Sequence, residues 1–227
     1  MSRALLAFAV LFLSTLPRLA LAHPTLPPAV VASLIHSCAP ATNPQTLASI
    51  IEVESGDWPW TIGDNTAGRS YFEPTYNDAA VLARFLYNRG HNLDLGLAQV
   101  NTVHLAGMRV SVEQALTPCT NLSMSQAVLM GDWHTAINHF GSDAARAEPS
   151  SILLYAISAY NTGSLFAGGH YVALVVHAAT GRFVQEVVNA SARPSPVATQ
   201  TTHTPSQQAI NAGLQRYFDS GWPPGVL

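Results

Sequence analysis

From Asn43 to Gly56 apolar and polar residues follow a helical period. Set about 100° apart around an axis, Leu47, Ile50 and Ile51 share one face, with Glu54 near its middle. Glu52 points almost the opposite way, to solvent. Both ends of this helix are marked. Asn43 can cap a free N–H of the first turn, and Pro44 suits the first helical position, where no N–H is needed. Gly56 can take the left-handed conformation that ends a helix. The pattern thus predicts Glu54 as a carboxylate on a buried face, near the negative end of a helix dipole. Burial and dipole both disfavour the anion and raise its pKa. A carboxylic acid that donates a proton at neutral pH needs that environment. The alternative is a carboxylate at a frayed helix end that reaches water.

Further periodic stretches follow. Asn77 reads as the cap of a helix over Asp78 to Arg89, with Leu82, Phe85 and Leu86 inward and Gly90 as its stop. In His91 to Asn101, Leu95, Leu97 and Gln99 alternate as in a short strand. Asn121 to Phe140 reads as a long helix, with Leu122, Leu129, Trp133, Ile137 and Phe140 on one face and Gly141 ending it. Pro149 starts another, with Ile152, Leu153, Ala156, Ile157 and Tyr160 inward. Asn161-Thr162-Gly163 closes it, so Tyr160 and Asn161 sit at a helix end, as Glu54 does. Tyr171 to Ala179 is a further apolar helix ending near Gly181. Asp57 to Tyr76 instead reads as loop, with Trp58, Trp60, Tyr71 and Phe72 among turn residues. Such aromatics suit a surface on which sugar rings stack; the alternative is a lid on the core. The predicted class is mainly α, with at most a small β-hairpin.

The two ends of the chain have other compositions. Met1 to Ala22 reads as a signal peptide: Arg3, an apolar run from Ala4 to Leu16, and Ala20-Leu21-Ala22 as a small-x-small cleavage site. The run is short for a membrane span, so no stable span is expected after cleavage; an uncleaved anchor is the alternative. Residues 23–190 read as one domain. Residues 191–227 read as a Pro/Ser/Thr-rich linker and tail, with a short amphipathic helix from Ala209 to Phe218.

The net charge is −3 and all ten basic residues are arginines, with no basic cluster. The electrostatic footprint of a nucleic-acid binder is missing. Cys38 and Cys119 are too few for a disulfide-built scaffold and lack zinc-site spacing. In an exported chain an even pair points to one bridge; two separate buried thiols are the alternative. The nine histidines suggest no metal site. His134 and His139 lie five apart without a carboxylate companion in a metal-binding spacing. Ser55 lacks the Gly-x-Ser-x-Gly turn of a serine nucleophile.

Three segments carry a resemblance when taken together: Glu54-Ser55-Gly56, then Gly96-Leu97-Ala98-Gln99-Val100-Asn101, then Ala159-Tyr160-Asn161-Thr162-Gly163. In this order and spacing they resemble the Glu-Ser, Gly-Leu-Met-Gln and Ala-Tyr-Asn motifs of the lytic transglycosylases of goose-type-lysozyme-like fold. Cys38-Ala39-Pro40, Asn92-Leu93-Asp94-Leu95-Gly96 and Pro118-Cys119-Thr120-Asn121 narrow the resemblance to the VirB-type transglycosylases of type IV secretion and conjugation systems. It covers about residues 28–189. Ala98 stands where methionine is usual, which implies a small gap beside the site.

The resemblance implies a lysozyme-like fold and a periplasmic enzyme acting on peptidoglycan glycan strands. Glu54 would be its catalytic acid and base. Ser55 and Tyr160 would orient Glu54, while Gln99 and Asn161 would hold sugars, with Asn101 a further contact. The product would be a 1,6-anhydro-N-acetylmuramic acid end, formed without cofactor or metal. One carboxyl suffices for that chemistry, unlike the two of most glycosidases. A hydrolytic muramidase using Asp57 or Asp94 as second carboxylate is the alternative within enzymes. A wall-binding scaffold without turnover is the alternative outside them. The tail is a candidate contact for secretion-system components.

Overall fold

The computed structural model describes residues 25–191. The signal-peptide reading of residues 1–22 and the linker and tail readings beyond 191 lie outside the described residues. Nine α-helices and four short strands make up the described part, which is mainly α as expected.

Helix α1 (Pro28–Cys38) leads through a short turn into α2 (Pro44–Ser55). The ends of α2 form as the sequence predicts. The Asn43 side chain accepts from the N–H groups of Gln45 and Thr46, and Gly56 is left-handed at φ 59°. Leu47, Ile50 and Ile51 are fully buried, which contributes about 1.5–3 kcal/mol per side chain. Glu52 is exposed.

The next stretch differs from the predicted loop. Strands β1 (Thr61–Asp64) and β2 (Arg69–Phe72) pair as an antiparallel hairpin. Strands β3 (Leu93–Leu95) and β4 (Val100–Asn101) extend it to a four-stranded sheet in the order β2-β1-β3-β4. The sheet is therefore larger than a hairpin. The strand expected over Leu95, Leu97 and Gln99 ends at Leu95, because residues 96–99 turn, with Gly96 and Gln99 at positive φ. Of the aromatics between residues 57 and 76, Trp58, Trp60, Tyr71 and Tyr76 pack on the core, while Phe72 is about half exposed. Trp58 is buried, donates its indole N–H to the Glu73 carbonyl and meets Phe72 edge to face.

Helix α3 (Tyr76–Tyr87) lies between the two hairpins in sequence. Its cap is Thr75, whose hydroxyl accepts from the Asp78 N–H, and Asn77 lies inside the helix. Phe85, expected inward, is about half exposed under the Arg89 guanidinium, because the face packed on the core is the one that carries Ala79, Ala83 and Leu86. After β4 come a 3₁₀ turn (Thr102–His104) and the one-turn helices α4 (Leu105–Met108) and α5 (Val112–Ala115).

The long helix α6 (Pro118–Phe140) begins at Pro118, three residues before the predicted start, because proline fits its first turn. Asn121 thus lies inside it. Helix α7 (Ser142–Ala147) is short, and α8 (Pro149–Thr162) ends at left-handed Gly163 as predicted. Helix α9 (Gly169–Ser191) continues past Gly181, since a lone glycine weakens a helix but does not stop it. Helix α8 packs on α6, and α9 packs on α2. One core joins these helices to the inner face of the sheet, where Ile62, Leu93 and Leu95 are fully buried. A Cys38–Cys119 disulfide ties the end of α1 to the start of α6, with a Cα–Cα distance of 5.2 Å. No helix among the described residues is long and apolar enough to cross a membrane.

Candidate active site

A cleft of about 540 Å³ runs between the sheet and the α6–α8 helices, with Glu54 in its lining. Asn65, Asn92, Asp94 and Asn101 form the sheet side. Val128, Asp132, Tyr160 and Asn161 form the helix side, and Gln99 also lines it.

Glu54 comes from the last turn of α2, on the buried side of that helix. Burial pushes its pKa up to about 7. The hydrogen bond from Tyr171 opposes the shift, and the charge of Asp94 adds to it. That hydrogen bond is the closest polar contact of the site: the Tyr171 hydroxyl on α9 donates to Glu54 Oε1 at 2.5 Å. Burial, then the neighbouring Glu54 charge, raise the pKa of Tyr171 itself, so it stays a donor. Tyr171 was not among the residues singled out from sequence. A tyrosine opening an apolar helix was the available signal, since a buried phenol usually finds a polar partner.

The Ser55 hydroxyl turns back to the Ile51 carbonyl of its own helix at 3.2 Å. Tyr160 donates to the Ala98 carbonyl at 2.7 Å and lies 2.9 Å from Ser125 Oγ, which must then supply the proton of that second bond. Burial raises the Tyr160 pKa, and the Glu54 charge adds to it. Tyr160 therefore joins α8 to α6 and to the turn between β3 and β4, close enough to Glu54 to sense its charge.

Residues 96–99 form that turn. Gly96 is left-handed at φ 74°, and a Cβ there would sit 2.7 Å from Asn121 Nδ2. The turn is clamped by Asn121, fully buried in the first turn of α6. Its Oδ1 accepts from the Ala98 N–H, and its Nδ2 donates to the Leu95 and Ala115 carbonyls. Ala98 is fully buried. Gln99 has φ 45°, and its side-chain amide donates to the Thr61 and Gly96 carbonyls. Its Oε1 lies over Gly63, where a Cβ would come within 2.9 Å. Gly63 leaves the space that Gln99 occupies at the cleft.

Gly63, Asp94 and Asn101 pair across adjacent strands and share one row of the sheet. Asn101 Nδ2 donates to Asp94 Oδ1 at 2.7 Å and to Asn92 Oδ1 at 2.6 Å. Asn65 Nδ2 donates to Asp94 Oδ2 at 2.7 Å and to Asn92 Oδ1. The sheet wall is thus a closed amide network around one carboxylate. Asp64, beneath it, is buried and accepts from Thr66 and Ala67 backbone N–H groups and pairs with His91. Burial raises its pKa, but the His91 hydrogen bond and the backbone donors outweigh that and hold it below the usual carboxylate range.

The cleft therefore brings together Glu54, Gln99, Asn101, Tyr160 and Asn161 of the residues chosen from sequence. Asn161 is exposed at its rim. Ser55 lies behind Glu54 and outside the lining. Asp94 lines the cleft and Asp57 does not. Asp132 also lines it and was not singled out from sequence. Near neutral pH such a site can deliver a proton from Glu54 and take one back.

No protein-family model matches the chain, and no solved structure matches it. Curated relatives do. The type IV secretion system protein VirB1 of Brucella suis biovar 1 is 33% identical over 183 residues, 79% of this chain and 72% of that protein. The protein VirB1 of Agrobacterium fabrum is 37% identical over 136 residues, 59% of this chain and 53% of its own length. That of Rhizobium radiobacter is 32% identical over 131 residues, 58% and 52%. The matched part is thus about half the length of the last two. The chain belongs to the VirB1 family of type IV secretion system proteins.

Proposed function

We propose that this chain is an exported peptidoglycan lytic transglycosylase that opens the cell wall locally for a type IV secretion or conjugation apparatus. The observation that carries the reading is Glu54: a carboxyl in the cleft lining, held near pKa 7 by burial and hydrogen-bonded by Tyr171. A carboxyl of that pKa is populated in both protonation states at neutral pH, as an acid that becomes a base requires. Protonated Glu54 donates to the glycosidic oxygen of the β-1,4 bond between N-acetylmuramic acid and N-acetylglucosamine. The carboxylate so formed takes the proton of the muramic C6 hydroxyl. That oxygen closes on C1 as a 1,6-anhydro ring, and Glu54 returns to its starting state. No water is consumed, so water must be kept from C1.

In this reading Gln99, Asn101 and Asn161 contact the sugars. Ser55 supports Glu54 from within its own helix, Tyr160 stands close enough to feel its charge, and Tyr171 orients it directly. The periplasm is the place of action, reached through the signal peptide at 1–22. The tail beyond residue 191 is the part available for secretion-system contacts. Mass analysis of muropeptides released from purified peptidoglycan tests the reading. Ends lighter by one water than hydrolysis products are expected.

A second reading has its own observation. Asp94 lines the same cleft, and its charge acts on Glu54. A muramidase would use Asp94 to activate water or stabilise the sugar cation, and would leave reducing ends. The amide network around Asp94 occupies both of its oxygens, which favours the first reading. Reducing ends in the digest would transfer the assignment to the muramidase. No released fragments at all would leave a wall-binding scaffold.

A further inference from the structure

Asp132 is the cleft carboxylate that neither reading of the chemistry uses. It lies on the α6 face that carries Ser125, which bonds Tyr160, and Val128, which lines the cleft. Leu129 and Trp133 on the same helix point into the core. Among the described residues, Asp132 Oδ2 is enclosed and has no hydrogen-bond partner. The other two carboxylates of the cleft are served: Glu54 by Tyr171, Asp94 by Asn65 and Asn101. The amide N–H groups of Asn65, Gln99 and Asn101 donate to protein acceptors. The cleft thus holds an acceptor that the described residues leave without a donor. Burying an acceptor without its donor is costly, and more so for an anion.

We propose that Asp132 is a substrate-binding residue of this cleft, its carboxylate accepting a hydrogen bond from an O–H or acetamido N–H of an N-acetylated glycan strand. The proposal rests on the reading of the cleft as a glycan site. Such a strand carries hydroxyl and acetamido donors on every sugar, which is the chemistry the site lacks. Oδ2 is enclosed in the free protein, so the bond needs a turn about the last side-chain torsion that brings this oxygen to the cleft, and that torsion is broad. Burial alone raises the Asp132 pKa to about 6. A donor from the sugar favours the anion, so binding should release a proton where Asp132 is partly protonated.

The test is calorimetric binding in a Glu54→Gln background, where Glu54 neither turns over substrate nor titrates. The probes are a tetramer of N-acetylglucosamine and peptide-free glycan strands. Adding Asp132→Ala should weaken binding about tenfold or more, the effect of losing a hydrogen bond to a charged group. Adding Asp132→Asn, which keeps the shape, should remove the fall in affinity below about pH 6. Asp94, His104 and Tyr160 also face the cleft and remain in every variant, so the difference between profiles belongs to Asp132. In the active enzyme Asp132→Asn should raise KM more than it lowers kcat. Binding to the parent that neither substitution changes overturns the proposal alone. Failure of both probes to bind the parent overturns the glycan reading, and the proposal with it.

Discussion

Tyr171 and Glu54 stand 117 positions apart in the chain, yet the phenol donates to the carboxyl at 2.5 Å and couples α9 to α2 at the cleft. This bond lowers the Glu54 pKa against the upward push of burial. In Tyr171→Phe, burial and Asp94 act without that opposition, and the pKa rises above about 7. The alkaline limb of the pH–rate profile, where the acid form is lost, should move to higher pH. The plateau rate should fall about tenfold to a hundredfold as the carboxyl loses its fixed orientation. Peptidoglycan-release rates across pH check both. An unmoved alkaline limb would remove Tyr171 from the site.

Glu54→Gln should abolish turnover and leave a folded protein. The folded pKa of about 7 exceeds the ordinary 4.5, so between these values the native chain holds a proton that the unfolded chain has lost. Stability from this group is fully present below the ordinary value. It is lost as pH rises through the folded one. A shift of this size bounds the loss at roughly 3 kcal/mol. Gln carries no such penalty, so its melt should match wild type near pH 4 and exceed it by a few degrees at pH 8. Glu52→Gln, on the exposed face, should change neither activity nor melt. Substantial activity in Glu54→Gln, or a melt lowered at pH 8, would mean that the residue is structural.

The legible parts of this site are local ones. The period and both ends of α2 lie within 14 residues, and they placed Glu54 on the cleft side without tertiary information. The helical faces of α6 and α8 were legible for the same reason. The donor to Glu54 was not, because Tyr171 lies on another helix and a helical period does not say which helices meet. The cap of α3 was misassigned because Thr75 and Asn77 both have capping side chains, and only the fold chooses between them. Strands β3 and β4 are set by pairing and by the clamp on their turn, which two or three residues of pattern cannot express. Asn121 stood in the segment that carried the resemblance, but its three bonds join parts of the chain up to 26 positions away.

The Cys38–Cys119 bridge closes a separation of 81 residues and holds α1 against the start of α6. Chain entropy sets its contribution at about 4 kcal/mol before strain. The double variant Cys38→Ala, Cys119→Ala should melt on the order of 10 °C lower. Its activity per folded molecule should persist, because the bridge lies outside the cleft lining. Thiol titration of the exported protein under denaturing, non-reducing conditions should find none free. Two free thiols there would show that the bridge does not form in the cell.

Asn121 offers the sharpest separation of scaffold from chemistry. It is not among the residues that line the cleft, yet its amide supports the turn that presents Gln99 and the Ala98 carbonyl that receives Tyr160. Asn121→Ala would leave the Ala98 N–H and one bond each of the Leu95 and Ala115 carbonyls unmet in a fully buried place. Each unmet group costs about 1–3 kcal/mol, so a loss of at least about 3 kcal/mol is expected. The turn should loosen before the whole domain does, because α6 and α8 keep their apolar contacts. Amide exchange at Ala98 should then accelerate beyond what the fall in global stability explains. The rate of peptidoglycan release should fall as well, while the alkaline limb of its pH profile stays in place, since the Tyr171 bond to Glu54 is untouched. A melt equal to wild type with unchanged exchange at Ala98 would mean that the 96–99 turn stands without Asn121.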